Sequence, residues 1–216
     1  MVRIKVCCIS SRQEADLAMA AGVSALGLVS EMPSGPGTID DARIRKIASH
    51  CPPDIATFLL TCRRKSDEII SHIDACATNT VQLVDSVEEG AHEKIRRSLP
   101  HIKIVQVIHV INERAIEEAL CCADAVDAIL LDSGNPGLTV KQLGGTGRTH
   151  NWEISRQIIE AVDCPVYLAG GLTPENISEA IDFVRPFGVD VCSGLRDEGR
   201  LDRNKLNRFC DAVSHF

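Results

Sequence analysis

Short apolar runs alternate along this chain with longer segments whose apolar residues recur every three to four positions. The runs cover residues 4–9, 25–29, 55–60, 81–84, 104–110, 128–131, 166–169 and 189–192. Brief, continuous and rich in Val and Ile, they predict strands covered on both faces. The amphipathic segments cover 12–21, 40–50, 66–77, 87–98, 112–123, 152–162, 174–184 and 203–213 and predict helices. Thr173 ahead of Pro174 has the form of an N-cap with proline in the first helical turn, and Asp40, Ser66 and Asn112 are further candidate caps.

Eight strand–helix repeats predict a parallel sheet, which closes naturally into a single (β/α)8 barrel, the TIM barrel, spanning residues 1–216 as one domain. An open doubly wound sheet is the competitor; it would leave two edge strands, and no device for protecting them is evident. The chain is short for a barrel, so its connections must be tight.

Composition narrows the chemistry. At 216 residues with 44% hydrophobic content the chain has enough apolar surface for a full core. A net charge of −7 and 3% aromatic residues exclude a nucleic-acid binder, which needs a basic face and stacking side chains. No apolar run reaches membrane-spanning length, and Met1 to Lys5 lead into a strand rather than a signal peptide, so a cytoplasmic protein with no membrane partner is expected. The ten cysteines include two adjacent pairs, Cys7-Cys8 and Cys121-Cys122, and no C-x-x-C spacing. They are expected to be reduced and largely structural, with no metal site.

Barrels build their sites where strands end. That criterion selects Cys7, Cys8, Ser30, Thr61, Asp85, His109, Asp132, the loop at 144–152, Gly170-Gly171 and Ser193-Gly194. Gly144, Gly145 and Gly147 surround Thr146 ahead of Asn151, a candidate cap for a helix starting at Trp152. Glycine-rich loops of this kind bring backbone amides against a phosphate, although glycine also serves plain tight turns. Three such loops after consecutive strands favour the phosphate. A thiol at Cys7 and a carboxyl at Asp132 are a candidate base and acid; the alternative is a core cysteine and a turn-forming aspartate.

Lys5-Val6-Cys7-Cys8-Ile9-Ser10 resembles the KICGIT opening of phosphoribosylanthranilate isomerases, barrel enzymes of tryptophan biosynthesis. Val81-Gln82-Leu83, Leu130-Leu131-Asp132, the GGTG run from Gly144, Leu168-Ala169-Gly170-Gly171-Leu172 and Val189-Asp190-Val191-Cys192-Ser193-Gly194 follow in the family's order. The resemblance implies a cofactor-free Amadori rearrangement of an aminoaldose phosphate. Asp132 would be the acid that opens the ribose ring and Cys7 the base at C2. Gly144, Gly145, Thr146, Gly147, Gly170, Gly171, Ser193 and Gly194 would bind phosphate, with Gln82, His109 and Arg148 as candidate substrate contacts. A small phosphorylated substrate is the implied partner, with a homodimer as the candidate assembly.

Four departures concern the far end of the substrate and the surroundings of the base. Where the family has SPR, with an arginine for the anthranilate carboxylate, residues 32–38 carry no basic side chain. Ser11 stands where an arginine is usual, with Arg12 one place along. Gln82-Leu83-Val84-Asp85 replaces QLHG, and Cys8 replaces a glycine. They leave two alternatives beside the isomerase: a barrel acting on a different phosphorylated substrate, or a non-catalytic phosphometabolite-binding barrel.

Overall fold

Eight strands are parallel throughout and each pairs with its neighbours in sequence, the last closing on the first. They are β1 (Arg3–Val6), β2 (Ala25–Val29), β3 (Ala56–Thr61), β4 (Thr80–Leu83), β5 (Lys103–His109), β6 (Ala128–Asp132), β7 (Val166–Leu168) and β8 (Gly188–Val191). A computed structural model describes all 216 residues. Pairing of β1 with β8 leaves no edge in the barrel, and the open-sheet competitor falls.

Side chains alternate across each strand. Leu26 and Leu28 of β2, Leu59 of β3 and Ile129 and Leu131 of β6 point outward into a continuous layer of 44 buried residues beneath the helices. Inward, Phe58, Leu60, Val105, Val107, Ala128, Leu130 and Tyr167 fill the lumen in a second cluster of 14. The same alternation carries Lys5 and Cys7 inward on β1 and its extension, and Asp132 inward behind Ala128 and Leu130. Period two, not any local preference, aims the candidate acid and base at one axis.

The helices are α1 (Arg12–Ala20), α2 (Asp41–Ala48), α3 (Ser66–Cys76), α4 (Ala91–Ser98), α5 (Arg114–Cys122), α6 (Trp152–Ala161), α7 (Ile177–Val184) and α8 (Arg203–Val213). Asp40 caps α2 as expected, accepting from Arg43 N at 2.7 Å, and Asn151 caps α6, accepting from Glu153 N at 3.0 Å. Other boundaries moved. Helix α7 starts at Ile177, because Thr173 and Asn176 use their side chains to form a turn over Pro174. Helix α4 starts at Ala91 after left-handed Gly90, and the preceding Glu88 caps α3 instead, accepting from both Ser66 N and Oγ. Ser66 is therefore a capped residue and not a cap. Asn112 precedes α5 by two residues, its Oδ1 accepting from Arg114 N.

A hairpin absent from the sequence pattern, β9 (Arg196–Asp197) with β10 (Arg200–Leu201), turns through left-handed Glu198 and Gly199 before α8.

Candidate active site

A pocket opens at the C-terminal end of the barrel. Cys7 and Cys8 after β1, Gln82 on β4, Asp132 ending β6, Asp190 on β8 and the three glycine loops line it together. Its apolar side is made by Met32, Leu60, Val84 and Leu143.

The loops after β2, β6, β7 and β8 form one wall because their backbones touch. A Cβ on Gly171 would fall 2.6 Å from Arg148 C and Thr149 N. One on Gly194 would collide with Leu172 O, and one on Gly145 would come 2.6 Å from Pro36 Cδ. Gly144, Gly145, Gly147, Gly170 and Gly171 also take positive φ, where a side chain is disfavoured. Thr146 Oγ1 meets Ser133 Oγ at 2.5 Å, and Gly147 lies beside Ser193 Oγ. The wall continues to Gly170 and Gly171 after β7 and to Ser193, which opens a short 3-10 helix, Ser193–Leu195, after β8, the place where barrels commonly hold phosphate.

Asp132 is buried, and one oxygen accepts from Ser133 N at 2.7 Å. Burial pushes its pKa above the usual carboxylate range, Asp190 adds to that, and the Ser133 amide and His109 oppose it. Such a carboxyl holds its proton nearer neutrality and suits an acid.

Below Cys7 lies a pair that sequence reasoning missed. Lys5, wholly buried, places Nζ 2.8 Å from Asp190 Oδ1 and 5.1 Å from the centre of the Phe58 ring. Burial disfavours the ammonium, but Asp190 and Cys7 outweigh it and raise its pKa above the ordinary lysine value. Cys7 Sγ and Lys5 Nζ crowd one point, 2.7 and 3.1 Å from where a Cβ on Gly27 would stand. A signal was present: opposite charges in two apolar strands that the barrel makes register partners.

A second omission is the latch beneath the β1–α1 loop. Arg196 donates to Cys7 O at 3.0 Å and Cys8 O at 2.6 Å, and to Glu14 Oε1 at 3.0 Å. The other Glu14 oxygen accepts from Ser10 N and Oγ.

The remaining expected residues divide. Gln82 lines the pocket, and its Oε1 is buried without a partner. His109, register partner of Asp132, turns away: its Nε2 donates to Val84 O at 3.0 Å, and it lines a separate groove with Asp85 and Lys141. Arg148 is exposed and does not line the pocket. Thr61 is buried against His72 Nδ1, and Ser30 Oγ donates to Leu60 O. Lys141 donates to Asp85, while Arg63 and Arg64 bond Glu68 O and Ser86 O. No Lys or Arg lines the pocket.

Residues 30–39 fold over this mouth. Ile39 N donates to Val29 O, Ser34 Oγ to Lys141 O at 2.6 Å, and Cys8 Sγ to Pro36 O at 3.6 Å.

Comparison with known proteins decides the family. The model of the family described as N-(5'-phosphoribosyl)anthranilate isomerase matches residues 4–212. The chain belongs to the N-(5'-phosphoribosyl)anthranilate isomerase family. A relative from Methanosarcina mazei, N-(5'-phosphoribosyl)anthranilate isomerase 2, is 38% identical over 210 residues, covering 96% of this chain and 92% of the relative. Among solved members of that isomerase family, mutually generated monomers of the dimeric Thermotoga maritima enzyme superpose with a TM-score of 0.81 at 28% identity, covering both chains fully. An isomerase of the same family in complex with reduced 1-(o-carboxyphenylamino)-1-deoxyribulose 5-phosphate superposes at 0.80, again with 28% identity and full coverage of both chains.

Proposed function

We propose that this chain is an aldose–ketose isomerase that converts N-(5'-phosphoribosyl)anthranilate to the corresponding aminoketose phosphate, with Asp132 as acid and Cys7 as base. The observation that carries the assignment is the convergence of both residues on one pocket walled by three glycine loops, in a chain of this family. The wall's amides hold the phosphate, which fixes the ribose against the lumen.

Asp132, whose pKa is raised by burial, gives its proton to the ribose ring oxygen. The C1–O bond breaks, and the nitrogen lone pair forms the protonated Schiff base. That cation acidifies C2, whose proton Cys7 removes to leave an enol-amine. Tautomerisation, with protonation at C1, yields the ketose. The Lys5 ammonium supplies a positive field beside the sulfur as it works. Gln82 Oε1, buried without a partner, is placed to accept from a substrate hydroxyl or amine.

Turnover of phosphoribosylanthranilate by the purified protein tests this. Cys7→Ser and Asp132→Asn should each lose about 10²–10⁴-fold in kcat, and wild-type turnover no faster than theirs would sink the assignment. A second reading, a different phosphorylated substrate, rests on the lack of any Lys or Arg in the pocket lining. It fails if wild-type kcat/KM on phosphoribosylanthranilate reaches about 10⁴ M⁻¹s⁻¹. The expected setting is the cytoplasm, consistent with the absence of any helix long and apolar enough to cross a membrane. The dimeric Thermotoga maritima relative supports a homodimer, which light scattering on the purified chain would establish or exclude.

A further inference from the structure

The seam where the barrel closes carries three thiols. Cys7 N donates to Val191 O at 2.9 Å, so Cys7 and Cys8 leave β1 beside Cys192, which leaves β8. Cys8 takes φ 61°, a left-handed conformation uncommon for a residue with a side chain. Cys8 lines the pocket with Cys7, although alternation along β1 would send neighbours to opposite faces. There Cys192 Sγ and Cys8 Sγ meet at 2.8 Å. This is the molecule's only thiol–thiol hydrogen bond. Its other cysteine hydrogen bonds run to backbone carbonyls at 3.3–3.6 Å, and every cysteine is free.

The two sulfurs are not equivalent. Cys8 is buried, whereas Cys192 is half-buried on the pocket wall beside Ser193. Hydrogen bonding with Cys8, working against burial, holds the Cys192 thiol below its usual pKa, and the Arg196 guanidinium assists. Arg196 Nε is buried and has no oxygen or nitrogen partner. Cys192 is thus the sulfur that attacks and Cys8 the one that resolves.

We propose that Cys192 and Cys8 form a thiol–disulfide site for low-molecular-weight disulfides, whose oxidation closes the barrel seam and silences the adjacent base. The Cys192 thiolate attacks one sulfur of the disulfide, forming a mixed disulfide and expelling one small thiolate. Cys8, passing its proton to that thiolate, then attacks Cys192 Sγ and expels the second as a thiolate, which takes up from solvent the proton that Cys192 released on ionising. Two protein thiols are oxidised, one small disulfide is reduced to two thiols, and no other oxidant enters. A bond between these sulfurs needs about 2.05 Å, so the two strand ends at the seam must draw together beside Cys7, whose carbonyl Arg196 holds.

The test is incubation of the intact protein with oxidised glutathione, followed by peptide mapping without reduction and by assay of isomerisation. A Cys8–Cys192 crosslink is expected, together with a loss of tenfold or more in kcat that dithiothreitol reverses. Cys8→Gly and Cys192→Ser variants should show no crosslink and no change, on oxidation, in whatever activity each retains. Both cysteines remaining free, a crosslink through Cys7, or equal loss in the variants would overturn the proposal. The activity arm rests on the isomerase reading, but the mapping arm does not, so failure of one is distinguishable from failure of the other.

Discussion

Lys5 Nζ stands 2.8 Å from Asp190 Oδ1 beneath the pocket, and the lysine side chain has no solvent exposure. Removing one member of such a pair leaves a buried charge alone. Lys5→Met should therefore cost about 3–5 kcal/mol in urea unfolding, whereas Lys5→Met combined with Asp190→Leu should recover most of it. Because the ammonium lies beside Cys7, the folded double variant should lose kcat more than it raises KM. Full activity in that variant would show the pair to be structural only.

Asp132 Oδ2 lies 2.7 Å from where a Cβ on Gly144 would stand, and Gly144 has φ 139°. A methyl there would displace the carboxyl and strain the loop. Gly144→Ala should lower kcat about 10²-fold, the scale expected when a catalytic group is misplaced by about 1 Å. Thermal unfolding should change by only a few degrees. Wild-type turnover in Gly144→Ala would show that Asp132 needs no bare backbone beside it.

His150 donates or accepts at Ser155 Oγ, 2.6 Å away, with Nδ1 buried and unpartnered. Burial lowers its pKa from an ordinary 6.5 to about 4. Between those values the unfolded chain binds the proton and the folded one does not, so stability falls as pH drops through this window. The loss approaches about 3 kcal/mol at its acid end. His150→Gln should accordingly lose less stability than wild type between about pH 7.5 and about pH 4.5. Equal losses would assign the acid sensitivity elsewhere.

Glu14 holds Arg196 with Oε1 and Ser10 with Oε2, at side-chain exposures of 14% for Glu14 and 8% for Arg196. Burial disfavours its charge, but bonds from Leu201 N and Ser10 N, and Arg196, outweigh it and lower its pKa. Glu14→Ala should cost about 3 kcal/mol, since it leaves the buried guanidinium without its carboxylate. It should also lower kcat by freeing the loop that carries Cys7. Unchanged urea unfolding would show that Arg196 is anchored by the carbonyls alone.

The eight strands, the helix order and the three glycine loops were legible in the sequence because each is a local pattern: short continuous apolar runs, period three to four, and residues that tolerate positive φ. Even the convergence of Cys7 and Asp132 followed from their positions at strand ends once the barrel was assumed. Tertiary structure decided what depends on neighbours distant in the chain. Residues 5 and 190 become an ion pair only because β1 and β8 close the barrel, and residues 8 and 192 become touching thiols for the same reason. His109 and Arg148 stood at plausible sequence positions, yet the first hydrogen-bonds Val84 O in another groove and the second stays exposed. A strand's end is written in its own residues. Which way the next side chain turns is set by contacts that only the folded chain supplies.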